Sequence, residues 1–202
     1  MRYFFTYFLI CSVFLSTLIS GVFSYPIFSS TGTITSGQQT ILNDANETEQ
    51  HITSSPFTIS VVNLNWFDTV NSIFTKYKNT RVIDVLTKTI YVVQRTGGYN
   101  HADVEPIDVS NMQKFYGIYN NTWSWARRPV WVEINDMWVA GSINGMPHGY
   151  SLITDNGQNG HSCIHFLQSK THGTSKVDDA HQNAVAYAFA HGSEINQILS
   201  SL

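Results

Sequence analysis

The sequence predicts a mainly β domain, a β-rich α+β fold with a few peripheral helices. Two observations carry that prediction. First, two pairs of apolar, β-branched and aromatic segments flank short polar turns, "RVIDVLTKTIYVVQR" and "PVWVEINDMWVAGSI", and each pair reads as a β-hairpin. Second, aromatic residues reach 13% of the chain, while helical spacing of apolar residues is confined to short stretches. The 202 residues are 43% hydrophobic and 12% charged, which supports one medium domain with a real core. A net charge of -3 without a basic stripe argues against nucleic acid as a partner.

Taken in order, residues 1–24 combine an early cation, Arg2, an apolar run from Phe4 to Ile19, and small residues before Tyr25. That is the pattern of a secretory signal peptide, with an uncleaved membrane anchor as the rival reading. The expected location is secreted, extracellular or cell-wall associated, with no stable membrane insertion after cleavage. Residues 25–56 are rich in Ser, Thr, Gly, Asn and Gln and read as a polar linker. Residues 57–202 are then a single domain. "FTISVVN" alternates as a strand, and Trp66, Val70, Ile73 and Phe74 keep a helical spacing. The two hairpins turn at Thr87-Lys88 and Asn135-Asp136. "VSNMQKFYG" reads as a short helix ended by Gly117. "DDAHQNAVAYAFAHG" reads as a helix with Asp178 or Asp179 as cap, Gly192 as stop, and Ala180, Ala184, Val185, Ala188 and Phe189 on one face.

Signal cleavage removes Cys11 and leaves Cys163 as the sole cysteine, so no internal disulfide can form. In "GHSCIHF" the period of a strand puts His161, Cys163 and His165 on one face and Ile164 and Phe166 on the core face. Fifteen positions before Cys163, "GMPHGY" presents His148 on a Pro-His-Gly turn. A thiol near ~8.5 is mostly protonated at neutral pH and needs such an imidazole to become a nucleophile. A metal ligand and an inert buried thiol are the competing readings of Cys163.

"HADVEP" places His101, Asp103 and Glu105 at alternate positions, as zinc ligands, as partners of the imidazoles, or as a solvated acidic loop. Lys170 and His172 can line a cleft, although a polar loop before a helix cap explains them more simply. "WSWARRPVW" offers Trp123, Trp125, Arg127, Arg128 and Trp131 for stacking on glycan rings and pairing with carboxylates, or for a β core.

His148-Gly149 followed by Gly160-His161-Ser162-Cys163-Ile164-His165-Phe166 resembles the signature of the L,D-transpeptidase catalytic domain. The resemblance spans about Arg81 to His191 and implies an L,D-transpeptidase-like β-sandwich or barrel. It implies Cys163 as acyl-accepting nucleophile, His148 as its base and His161 as a shaper of the site. Ser162 and Gly149 with their neighbouring N–H groups, His165 and Arg95 fall on the oxyanion and substrate side. The implied function is cleavage or transfer of peptidoglycan stem peptides without a cofactor. Peptidoglycan or a related peptide or glycan is the implied partner. The sequence departs from the signature at His165, where the family has Arg, at Ser162, where it has Gly, and at Gly160, where it has Ser or Thr. A zinc-dependent peptidoglycan hydrolase using His101, Asp103, His161 and His165 remains one alternative. A non-catalytic wall-binding module is the other.

Overall fold

A computed structural model describes residues 58–202. The expected signal peptide, residues 1–24, and the expected polar linker, residues 25–56, lie outside the described residues, as does Phe57. Seven strands carry the fold: β1 (Val61–Val62), β2 (Asn79–Asp84), β3 (Ile90–Gly97), β4 (Ala102–Pro106), β5 (Arg127–Ile134), β6 (Met137–Asn144) and β7 (Ser162–His165). They are ordered β1-β6-β5-β2-β3-β4-β7, and β6 also pairs with β7. That last pairing closes six antiparallel strands into a barrel, while β1 lies parallel to β6 as an added strand. The predicted mainly β class is what the structure shows. Closure leaves no open sheet edge in the ring, so every member strand is paired on both sides.

Local chemistry explains the turns. Asn135 and Asp136 take φ of 48° and 63°, the left-handed pair that a two-residue hairpin requires and Asn and Asp tolerate. At the other hairpin Asp84 accepts hydrogen bonds from the Thr87 N–H at 2.8 Å and from the Thr87 hydroxyl at 2.7 Å. Arg128 grips the same carboxylate with two N–H groups, at 2.8 and 2.7 Å, tying the turn to β5.

The strand period sorts side chains onto two faces. Val82, Val93, Val104, Val130, Val132, Val139, Ile143 and Ile164 join Trp66, Phe74 and Phe166 in one core. On the opposite face Ile83, Trp131, Trp138 and Ala140 form a second core with Val185, Ala188 and Ile195. A fully buried Val or Ile contributes roughly 1.5–3 kcal/mol, so both layers stabilise the barrel.

The helices are peripheral. A π-helical turn, Trp66–Val70, continues into α1 (Asn71–Ile73), with the Asn65 side chain capping it. α2 (Val109–Gly117) is capped by Asp108, and α3 (Asp179–Ala190) by Asp178, whose Oδ1 accepts from the His181 N–H. A 3-10 turn, Gly192–Glu194, leads into α4 (Ile195–Leu199). α3 is a helix as expected, but its buried face is His181, Ala184, Val185 and Ala188, while Ala180 and Phe189 are exposed. Those four keep the i, i+3, i+4, i+7 spacing, and a histidine is its first member. The strand expected in "FTISVVN" is only β1, because just two of its residues find a ladder on β6. Among the described residues no helix is long and apolar enough to cross a membrane.

Candidate active site

β7 is flanked by β4 and β6, and the register sets Asp103 opposite Cys163. Ile164 and Phe166 enter the first core, and Cys163 and His165 line a pocket of about 250 Å³ on the other side. Trp125, Arg127, Asn144, His148, His172 and His181 share that lining. A larger open groove of about 400 Å³, beside the Arg81–Glu133 ion pair, holds no cysteine or histidine.

The nucleophile and base candidates meet. Cys163 Sγ lies 3.2 Å from His148 Nε2, and His148 Nδ1 lies 2.9 Å from the Met146 carbonyl. His148 and His161 exchange backbone hydrogen bonds of 2.9 Å in both directions, which fixes the Pro-His-Gly turn against the start of β7. Gly149 serves that contact. Its φ is +66°, and an added Cβ would meet the His161 ring at 2.5 Å. This packing against His161 is the role the structure gives Gly149.

Burial pushes the Cys163 thiol well up, the Asp103 charge adds to that, and a hydrogen bond from the Asn144 side chain opposes both. Burial pulls His148 down, against the Met146 carbonyl contact. Both shifts favour a neutral thiol beside a neutral imidazole.

Around the pair stands a crowded histidine cluster. His101 Nδ1, His148 Nδ1 and His161 Nδ1 lie 2.6, 2.9 and 3.1 Å from the carbonyls of Lys170, Met146 and Tyr150. A carbonyl only accepts, so each of these Nδ1 atoms carries a hydrogen and each Nε2 is turned toward the centre of the cluster. Asp103 Oδ1 adds another acceptor, 3.4 Å from His101 Nε2, 3.7 Å from His161 Nε2 and 3.2 Å from His172 Nε2. His172 Nε2 completes the cluster, 2.9 Å from His101 Nε2 and 3.6 Å from Cys163 Sγ. His161 Nε2 is buried with no hydrogen-bond partner.

Several expected residues take other places. His165 lines the pocket, but its ring is held between two other imidazoles. It stacks between His101 at 4.3 Å and His181 at 3.7 Å, and burial holds it far below the usual histidine range. It is also absent from the metal-capable groups, so the zinc set expected from the sequence loses one member. Arg95 is not available to a substrate. Its N–H groups donate to the carbonyls of Gly97, Gly98, Asn71 and Phe74 and to the Asn71 side chain, and its plane lies 4.7 Å from the Trp66 ring. Ser162 is fully buried opposite Val104, with its hydroxyl 3.5 Å from the Gln158 amide. "HADVEP" is no solvated loop: it contains β4, and Glu105 is buried, accepting from the Leu152 and Ile153 N–H groups at 2.8 and 3.0 Å. Glu105 thus anchors the 150s loop and stays out of the centre.

His172 was the residue that sequence reasoning set aside. Its Nε2 lies 3.6 Å from Cys163 Sγ, brought there because Lys170 N–H bonds to the Asn100 carbonyl across the loop. Lys170 itself points its ammonium over the Phe67 ring, away from the thiol. Asn144 carried no motif. The only signal for Asn144 was its place at the end of the β6 hairpin arm, whose alternation aims Ser142 and Asn144 to the Cys163 side. Two overlapping groups bring donor atoms within 4.8 Å of one another: His148, His161, Cys163 and His172, and His101, Asp103, Cys163 and His172.

No family profile, curated protein or solved structure matches the chain.

Proposed function

We propose that the protein is a cysteine-dependent acyltransferase or peptidase acting on peptidoglycan stem peptides, of the L,D-transpeptidase type. The observation that carries this reading is the 3.2 Å contact between Cys163 Sγ and His148 Nε2, with His148 Nδ1 oriented by a backbone carbonyl. A buried nucleophile, a base within hydrogen-bond reach and an orienting acceptor on the base are the parts that thiol catalysis requires.

The chemistry follows from the neutral pair. Sγ attacks the peptide carbonyl carbon while its proton passes to His148 Nε2. The tetrahedral adduct collapses, the C–N bond breaks, and the leaving amine takes the proton from His148. The resulting thioester is then attacked by an amine or by water, whose proton returns through His148 to the thiol. Trp125, half exposed and 5.0 Å from the His148 ring, gives the pocket an aromatic wall for the substrate backbone. His161 acts by packing on the base, 4.7 Å ring to ring.

Cys163→Ala is expected to abolish product formation from purified muropeptides, followed by mass spectrometry, with the domain still folded. His148→Ala is expected to lower turnover by about 10²–10⁴-fold. Turnover by Cys163→Ala at the parent rate sinks the proposal. Tight muropeptide binding without product in the parent protein points instead to a wall-binding module.

A further inference from the structure

We propose that His148, His161, His172 and Cys163 together bind one Zn²⁺ ion per chain, and that the ion masks the nucleophile. The inference rests on the thiol reading above and concerns the regulation of the same site.

Three features point to a cation. The first is the ligand geometry. Zinc bonds of about 2.0–2.1 Å to nitrogen and about 2.3 Å to sulfur give a tetrahedron with donor–donor edges of about 3.3–3.6 Å. Cys163 Sγ is 3.2 Å from His148 Nε2 and 3.6 Å from His172 Nε2, and the four donors lie within 4.8 Å of one another. The second is orientation. His148 and His161 each place Nδ1–H on a backbone carbonyl, which fixes the tautomer whose Nε2 binds metal. The third is the buried His161 Nε2, which has no hydrogen-bond partner and faces the Asp103 carboxylate at 3.7 Å.

The same geometry decides what the metal does. A catalytic zinc keeps one position open for water, whereas four protein donors close the tetrahedron. Here the fourth donor is the nucleophile itself. Binding replaces the S–H bond with a Zn–S bond and releases one proton to solvent. His172 takes up the tautomer with hydrogen on Nδ1. Asp103 stays outside the ligand set, 3.2 Å from His172 Nε2, as a charge that favours the ion. His172 is half exposed and sits on the loop at the mouth of the pocket, so it is the ligand that can swing away and release the metal.

The test uses the full chain stripped of metal with a chelator. Titration with Zn²⁺ against a chromophoric competitor is expected to give one equivalent bound, with affinity about tenfold or more weaker in His172→Ala and in His161→Ala. One equivalent of Zn²⁺ is expected to block iodoacetamide alkylation of Cys163, and chelator to restore it. Co²⁺ is expected to give a sulfur-to-cobalt charge-transfer band that Cys163→Ser removes. Because His172 is exposed, its variant separates ligand loss from misfolding. Alkylation unaffected by Zn²⁺, or a cobalt band that persists in Cys163→Ser, overturns the proposal. Zinc protection of the thiol alongside muropeptide turnover by Cys163→Ala keeps the metal site and removes the enzyme reading. Loss of turnover in Cys163→Ala without zinc protection does the reverse.

Discussion

At Cys163 the sulfur faces two opposing influences from its own neighbours. Burial and the Asp103 carboxylate, 4.0 Å away, both disfavour the thiolate, while the Asn144 side chain favours it. Asp103 is therefore a charge that opposes the Cys163 thiolate. Removing the charge while keeping the shape is expected to lower the thiol's apparent pKa. Asp103→Asn should move the pH profile of Cys163 alkylation to lower pH, and an unchanged or raised inflection contradicts the assignment. The sign follows from the charge alone: a carboxylate next to a sulfur opposes its ionisation, and a neutral amide does not. His161 and His172 each touch the same carboxylate oxygen, so the effects of these residues are coupled and will not add.

At the scale of elements, the loop between β3 and β4 and the first helix are held by Arg95. The register shift between Arg95 and Gly97 bulges β3, and the guanidinium turns inward to collect carbonyls from Gly97, Gly98, Asn71 and Phe74. Arg95→Met is expected to destabilise the domain by about 3 kcal/mol or more in urea unfolding, because several buried acceptors lose a charged donor at once. Arg95→Lys should rescue little, since one ammonium cannot reproduce a planar fork of N–H groups. A near-wild-type midpoint for Arg95→Met contradicts this reading. The same logic applies to the turn before β7, where Gly149 leaves room for the His161 ring.

For the whole molecule, a column of buried histidines links the two sides of the site to α3. His181 donates or accepts at Ser142 Oγ, 2.8 Å away, and stacks on His165 at 3.7 Å. Burial, reinforced by the Arg127 charge, lowers His181 to about 3, and burial lowers His165 further. In the unfolded chain both titrate near ~6.5. Above that pH neither state binds a proton and stability is complete. As pH falls from ~6.5 toward 3 the unfolded chain takes up protons that the native state refuses, so stability declines. Each such histidine adds a slope approaching about 1.4 kcal/mol per pH unit. Urea midpoints are expected to fall steeply between pH 6 and pH 4 at constant salt. His181→Phe keeps an aromatic ring in the stack and is expected to flatten that slope, whatever it does to stability at pH 7. A slope as steep in the variant as in the parent contradicts the account.

The local signals determined much of this protein by themselves. Period-two alternation, the Asn135-Asp136 turn, a cap at Asp178 or Asp179 and the apolar spacing of the first helix are properties of neighbouring residues, so the sequence states them directly. The same period put Cys163 opposite the core from Ile164, and the His-Gly motif offered its base. Contacts across the chain were decided only by the tertiary structure. Barrel closure through β6 and β7 brought β4 beside Cys163, which turned "HADVEP" from a candidate loop into a buried strand and placed Asp103 against the sulfur. A loop hydrogen bond brought in His172, and α3 packing turned His181 inward against Ser142 and His165. His165 and Arg95 show the converse. Each has the side chain for binding a substrate, but neighbours distant in sequence surround it: imidazoles stack on one, and backbone carbonyls occupy every arm of the other. Residue type and spacing report what a side chain can do, while strand order reports which partners reach it first.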